Sequence, residues 1–244
     1  MEACGPETPV PENPGAVLGA ALGSLAQLGL DKLTFFISPR IEPFGDWLEQ
    51  LIAESTGKEG RGILPVIGET PGGRYGSDRV FVFLELEGEE FPEYIRSEVS
   101  GRGLPGITIK VPGPYGIGGQ IYTWELATAV AGSILEINPF DQPNVESTKK
   151  AARAVLAQME KGAFSAGAQP SPEGVSVYGS PGEASPAALK KFLGRITEGK
   201  YIGIQAFLAP SGKTRSLIGL IAESLRQKTG AAVTCGFGPR YLHS

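Results

Sequence analysis

The feature that most constrains this chain is the run Arg79-Val80-Phe81-Val82-Phe83-Leu84-Glu85-Leu86, in which apolar residues follow one another almost without a break. A strand with one wet face alternates apolar with polar side chains, whereas a near-continuous apolar strand needs cover on both faces. Leu33-Thr34-Phe35-Phe36-Ile37-Ser38, Ile63-Leu64-Pro65-Val66-Ile67 and Ile107-Thr108-Ile109-Lys110-Val111 read as further strands. Helical patterns separate them, so the expectation is an α/β domain over about 15–160, built on a mostly parallel sheet covered on both sides. The helices are expected at 15–28, rich in Ala and Gly for close packing, and at 44–56, 118–136 and 143–160. Ligand sites of such sheets are expected beyond the carboxyl ends of the strands.

Two charged residues stand where a helical pattern asks for apolar ones. Phe44, Trp47, Leu48, Leu51 and Ile52 form one face of an amphipathic helix, and Gly57 supplies its stop. Glu54 lies seven residues after Trp47, two turns on and on the same side. A carboxylate on a partly dry face suits a general base, because desolvation disfavours its charged form. The alternative is a plain ion pair between Glu54 and Lys58. In the segment Asn138-Pro139-Phe140-Asp141-Gln142-Pro143, the prolines make a rigid turn and Pro143 opens a helix. Its apolar or small positions run Val145, Thr148, Ala152, Val155, Leu156 and Met159, and Lys149 falls inside that stripe while Lys150 points away. Either the stem of Lys149 packs while its ammonium reaches water, or the placement serves chemistry.

A net charge of −4 on 244 residues offers no general attraction for nucleic acid or an anionic membrane, and no basic stripe is seen. Cys4 and Cys235 lie far apart and His243 is the sole histidine, so neither a disulfide framework nor a zinc centre is indicated; a reducing, cytoplasmic setting fits best. Residues 162–186, rich in Gly, Ser, Pro and Ala, read as a flexible linker. Beyond it, helices near 187–197 and 213–228 alternate with strands at 201–208 and 231–237. Ser211-Gly212-Lys213-Thr214 follows a strand and opens a helix, yet the P-loop pattern needs glycine where Phe207 stands. The run Gly113-Pro114-Tyr115-Gly116-Ile117-Gly118-Gly119 lacks dinucleotide-binding spacing.

Leu51-Ile52-Ala53-Glu54-Ser55-Thr56-Gly57-Lys58-Glu59-Gly60-Arg61-Gly62, taken with Asn138-Pro139-Phe140-Asp141-Gln142-Pro143, resembles glucose-6-phosphate isomerases. The closer likeness is to the isomerase half of bifunctional transaldolase/glucose-6-phosphate isomerase proteins. Trp124-Glu125-Leu126-Ala127-Thr128-Ala129-Val130-Ala131-Gly132 and the terminal Gly236-Phe237-Gly238-Pro239-Arg240-Tyr241-Leu242-His243-Ser244 add to it. The resemblance implies a flavodoxin-like, three-layer α/β/α sugar isomerase domain that acts in glycolysis and gluconeogenesis without metal or organic cofactor.

Residue by residue, the resemblance implies that Glu54 shuttles a proton between C1 and C2 of glucose 6-phosphate or fructose 6-phosphate through an enediolate. It implies that Lys149 contacts substrate and helps ring opening, and that the imidazole of His243 shares in ring opening. The chemistry suits these groups, since proton transfer beside a carbonyl needs a placed base and a nearby cation stabilises developing negative charge. In ordinary isomerases the histidine motif lies between the glutamate and the lysine; here it follows both, as in the bifunctional relatives. The resemblance also leads us to expect a fragment: residues 1–161 as the second sugar isomerase subdomain, 162–186 as linker and 187–244 as a truncated α/β segment. The first subdomain, with its Ser/Thr phosphate-binding loop, is missing from the matched pattern, and a transaldolase domain is a further expected neighbour. A homodimer is one assembly it allows. The competing expectation is a non-catalytic sugar-phosphate-binding module that regulates a partner.

Overall fold

The computed structural model describes residues 2–141, 143–161, 168–170, 176–178, 186–197 and 199–239. They divide into two compact units, Met1–Asp141 with Glu198–Ser244, and Gln142–Thr197. The helix that begins at Pro143 belongs to the second unit.

In the first unit, strands β1 (Lys32–Ile37), β2 (Leu64–Val66), β3 (Arg79–Leu86) and β4 (Gly106–Val111) form one sheet in the order β2-β1-β3-β4. All pairs are parallel, with Lys32 opposite both Leu64 and Arg79, and Leu86 opposite Val111. Helix α1 (Pro14–Gln27) precedes β1, α2 (Phe44–Thr56) and α3 (Glu93–Gly101) connect strands, and α4 (Ile117–Ile134) follows β4. Alternation along β3 assigns the layers. Val80, Val82, Leu84 and Leu86 join Leu33 and Phe35 in a core with Leu18 and Leu22 of α1, Leu48 and Ile52 of α2, and Trp124 and Ala127 of α4. Phe81 and Phe83 face the other way and pack with Phe36 and with Ile95 and Val99 of α3. These elements of the first unit thus make an α/β/α arrangement on a parallel sheet, as expected. Helix α3 was not expected: only Ile95 and Val99 of its nine residues are buried apolar ones, too short a periodicity to stand out.

The pairing of α1 with α4 rests on glycine. A Cβ at Gly15 would meet Leu126, one at Gly23 would meet Ile134, and one at Gly19 would lie 2.4 Å from the Ala127 carbonyl oxygen. Three glycines at four-residue spacing therefore let the two backbones approach to a distance that side chains would forbid.

The C-terminal part of the same unit is β7 (Tyr201–Ala206), α7 (Gly212–Thr229) and β8 (Ala232–Phe237), numbered after the second unit's elements below; β7 and β8 pair in parallel. Ser211 caps α7: its hydroxyl accepts from the Thr214 amide at 3.2 Å while Thr214 Oγ1 accepts from the Ser211 amide at 2.8 Å. The Ser-Gly-Lys-Thr sequence is thus spent on a capping box. Gly230, at φ 75°, closes the helix in the left-handed conformation.

The second unit comprises α5 (Pro143–Glu160), a short antiparallel pair β5 (Ala168–Pro170) and β6 (Ser176–Tyr178), and α6 (Pro186–Leu193). The two strands fall inside the range expected as linker; most of 162–186 lies outside the described residues. Among the described residues, no helix is long and apolar enough to cross a membrane.

Candidate active site

Helix α2 leaves the carboxyl end of β1 and runs back along the sheet, so its last turn lies where β1 and β2 begin; the Leu64 amide bonds the Asp31 carbonyl there at 2.8 Å. Helix α4 makes the same return after β4. The last turn of α2 and the turn at 138–141 therefore both lie at the amino-terminal end of the strands, tied to each other through Lys58, at the opposite end from the one expected of open parallel sheets.

The last turn of α2 is fixed by its sequence. Leu48 and Ile52 face the core, and the Phe44 and Trp47 rings stack at 5.1 Å. Thr56 Oγ1 donates to the Ile52 carbonyl at 2.7 Å and accepts from the Ile63 amide at 2.9 Å, so one buried hydroxyl closes the helix and aligns the approach to β2. Between them Lys58-Glu59-Gly60-Arg61 makes a tight reversal, with the Arg61 amide on the Lys58 carbonyl at 2.9 Å. Both central residues have positive φ, 55° at Glu59 and 74° at Gly60, the pattern of a two-residue hairpin turn.

Glu54 is half-buried, and its Oε2 accepts a hydrogen bond from Gln50 Nε2 at 2.6 Å. The alternative partner, Lys58, turns elsewhere. Its ammonium donates to the Asn138 carbonyl at 2.8 Å and to the Asp141 carbonyl, and pairs with Asp141 Oδ1 at 3.2 Å. Arg61 Nη1 donates to the Leu135 carbonyl at 2.6 Å and to Glu136 Oε2 at 3.1 Å. The turn itself is ordered by Asn138 Oδ1, which accepts from the Phe140 amide at 3.0 Å, and by Pro139, which lies against Gly132 of α4.

The three expected site residues fare differently. Glu54 sits in the first unit as described. Lys149 is on α5 in the second unit and is exposed, as are Val155, Leu156 and Met159 of its stripe. His243 lies outside the described residues. Gln50, Lys58 and Arg61 were not singled out as site residues. Gln50 could have been found, since it lies one helical turn before Glu54 on the same face. The partners of Lys58 lie 80 and 83 residues along the chain, where no local pattern points. Among the described residues no three His, Cys, Asp or Glu side chains gather as a metal site.

No protein-family model matches the chain. It is 32% identical over 158 residues to a protein of Clostridium tetani named glucose-6-phosphate isomerase, a match that covers 48% of this chain and 35% of that one. Proteins of the same name match with the same coverage at 30% identity in Fusobacterium nucleatum and 28% in Clostridium perfringens. The chain thus spans about a third of the length of the curated relatives it matches. A parallel α/β fold and about 30% identity to glucose-6-phosphate isomerases over about half the chain together fit a partial glucose-6-phosphate isomerase-like domain.

Proposed function

We propose that this chain supplies the proton-transfer part of a larger cytoplasmic enzyme that interconverts glucose 6-phosphate and fructose 6-phosphate. The observation that carries the reading is Glu54, half-buried and held by Gln50 at 2.6 Å, four residues before the Lys58 that fastens the Asn138–Asp141 turn, in a chain similar to proteins named glucose-6-phosphate isomerase. In this reading the Glu54 carboxylate takes the proton from the carbon next to the substrate carbonyl and returns it to the neighbouring carbon, through an enediolate. Gln50 keeps one carboxylate oxygen directed and leaves the other for the substrate. Lys149 and His243 take the roles the family resemblance gives them, charge stabilisation and ring opening. Phosphate binding normally supplies much of the energy that positions reacting carbons. The partial span of the relatives therefore favours weak activity in this chain alone. In the full-length parent protein, Glu54→Gln should lower turnover by about 10²–10⁴-fold with folding intact, the share general base catalysis commonly contributes. Exchange of the substrate C2 proton with solvent, followed by NMR, should vanish with it. Turnover within about tenfold of wild type would reject Glu54 as the base.

A further inference from the structure

We propose that Lys58 is a positioning residue, which fastens the Asn138–Asp141 turn to the end of the Glu54 helix and so sets the distance between the base and groups presented by that turn. The inference rests on the isomerase reading above. A lysine ammonium leaves water only when oxygen partners replace it. Lys58 is 4% exposed, and its acceptors are the Asn138 carbonyl at 2.8 Å, the Asp141 carbonyl and Asp141 Oδ1 at 3.2 Å. An ammonium has three donors, and all three of these acceptors belong to one four-residue turn. Glu54, in the last turn of the preceding helix, is engaged with Gln50 instead.

The geometry is that of a clip. Lys58 and Arg61 are the two ends of a single tight reversal, whose central residues both hold positive φ. Arg61 grips the chain just before the turn, at the Leu135 carbonyl and Glu136, and Lys58 grips it at Asn138 and Asp141. Pro139 lies between them against Gly132, where a Cβ would come within 2.9 Å of its ring. Apolar packing of Pro139 sets how deep the turn sits, while directed bonds to carbonyls set which way it faces. The exposed parts of the turn, Asn138 and Phe140, are thereby held at a fixed place relative to Glu54, although Lys58 offers them no surface of its own.

The test uses the full-length parent protein, with kcat and KM measured per folded molecule well below each variant's Tm. Lys58→Met keeps the stem and removes the donors. It should lower kcat/KM by about 100-fold with a raised KM, the loss expected of a misplacement near 1 Å. Lys58→Arg, which still reaches the carbonyls, should recover most of it. If Lys58→Met lowers Tm but keeps the wild-type kcat and KM, Lys58 is purely structural and the proposal fails while the isomerase reading stands. If the wild-type protein itself does not isomerise the sugar phosphate, both fail. Should Lys58→Met not fold, Lys58→Gln, whose shorter side chain cannot hold all three acceptors, is measured in its place, and a raised KM or an unchanged one decides the matter in the same way.

Discussion

The α1–α4 face and the β7–α7–β8 segment belong to one compact unit, yet they are held by opposite means. The first is packed so closely that an added Cβ at any of three glycines would force a neighbour to shift, and at Gly19 that neighbour is backbone. In the second, Leu217, Leu220 and Ile221 of α7 stand exposed, as do Phe207 and Leu208, and burial is concentrated at Ala231, Ala232 and Val233. What ties it in is polar. Glu69, on the way to β3, takes both terminal nitrogens of Arg79 at 3.0 Å and accepts from the Val233 amide at 3.2 Å. Arg226 of α7 donates to the Gly72 carbonyl at 2.6 Å, lies 5.0 Å from the centre of the Tyr75 ring and pairs with Glu223. Burial pushes the Tyr75 hydroxyl's pKa up despite that guanidinium, and the Glu223 carboxyl is drawn down against its own desolvation by Gln227 and Arg226. A segment short of apolar cover is thus attached through a few directed charges, each of which then matters more than any single methyl group.

The sharpest way to break this contrast is Glu69→Ala. It strands Arg79, which is 0% exposed, and should cost about 3–5 kcal/mol in urea denaturation, with faster amide exchange along β8. A loss below about 1 kcal/mol would mean that packing, not charge, attaches the segment. Next comes Gly19→Ala, expected to cost about 1–3 kcal/mol because its methyl meets a backbone oxygen. The same change at Gly219 of α7, where an added Cβ meets nothing within 4 Å, should instead stabilise by about 0.5–1 kcal/mol. If the two glycines responded alike, the contrast between the regions would be lost. The smallest effect concerns pH. Burial, aided by the charges of Glu69 and Glu49, pushes the Cys235 thiol from an ordinary 9.0 to about 11. The folded state then keeps a proton that the unfolded chain gives up, so the stabilisation is full below pH 9 and lost as pH rises towards 11. Cys235→Ala should flatten the alkaline fall in Tm across that window.

Much of the fold was legible because it is written in local patterns. The apolar run of β3, the small residues of α1 and the stripe of α2 each name one element and the face it buries. Helix α3 escaped because two buried residues make no stripe. The candidate site was legible only in part. Glu54 and its helix could be read, and so could the rigid turn at Pro139. The end of the sheet could not, since it depends on which way the return helices run. Nor could the ties of Lys58, Arg61 and Glu69 to partners about 70 to 165 residues away, Glu69 reaching Val233. Lys149 shows the limit of periodicity. Its apolar stripe exists in sequence, yet Leu156 and Met159 stand exposed on α5.

The glycine seam between α1 and α4 also orders events in time. A helix of 14 residues carrying three glycines is a poor helix by itself, and its partner residues lie about 100 positions further along. Helix α1 therefore depends on the later α4 for the cover that holds it. Until α4 docks, Leu18 and Leu22 lack the cover that the seam eventually provides.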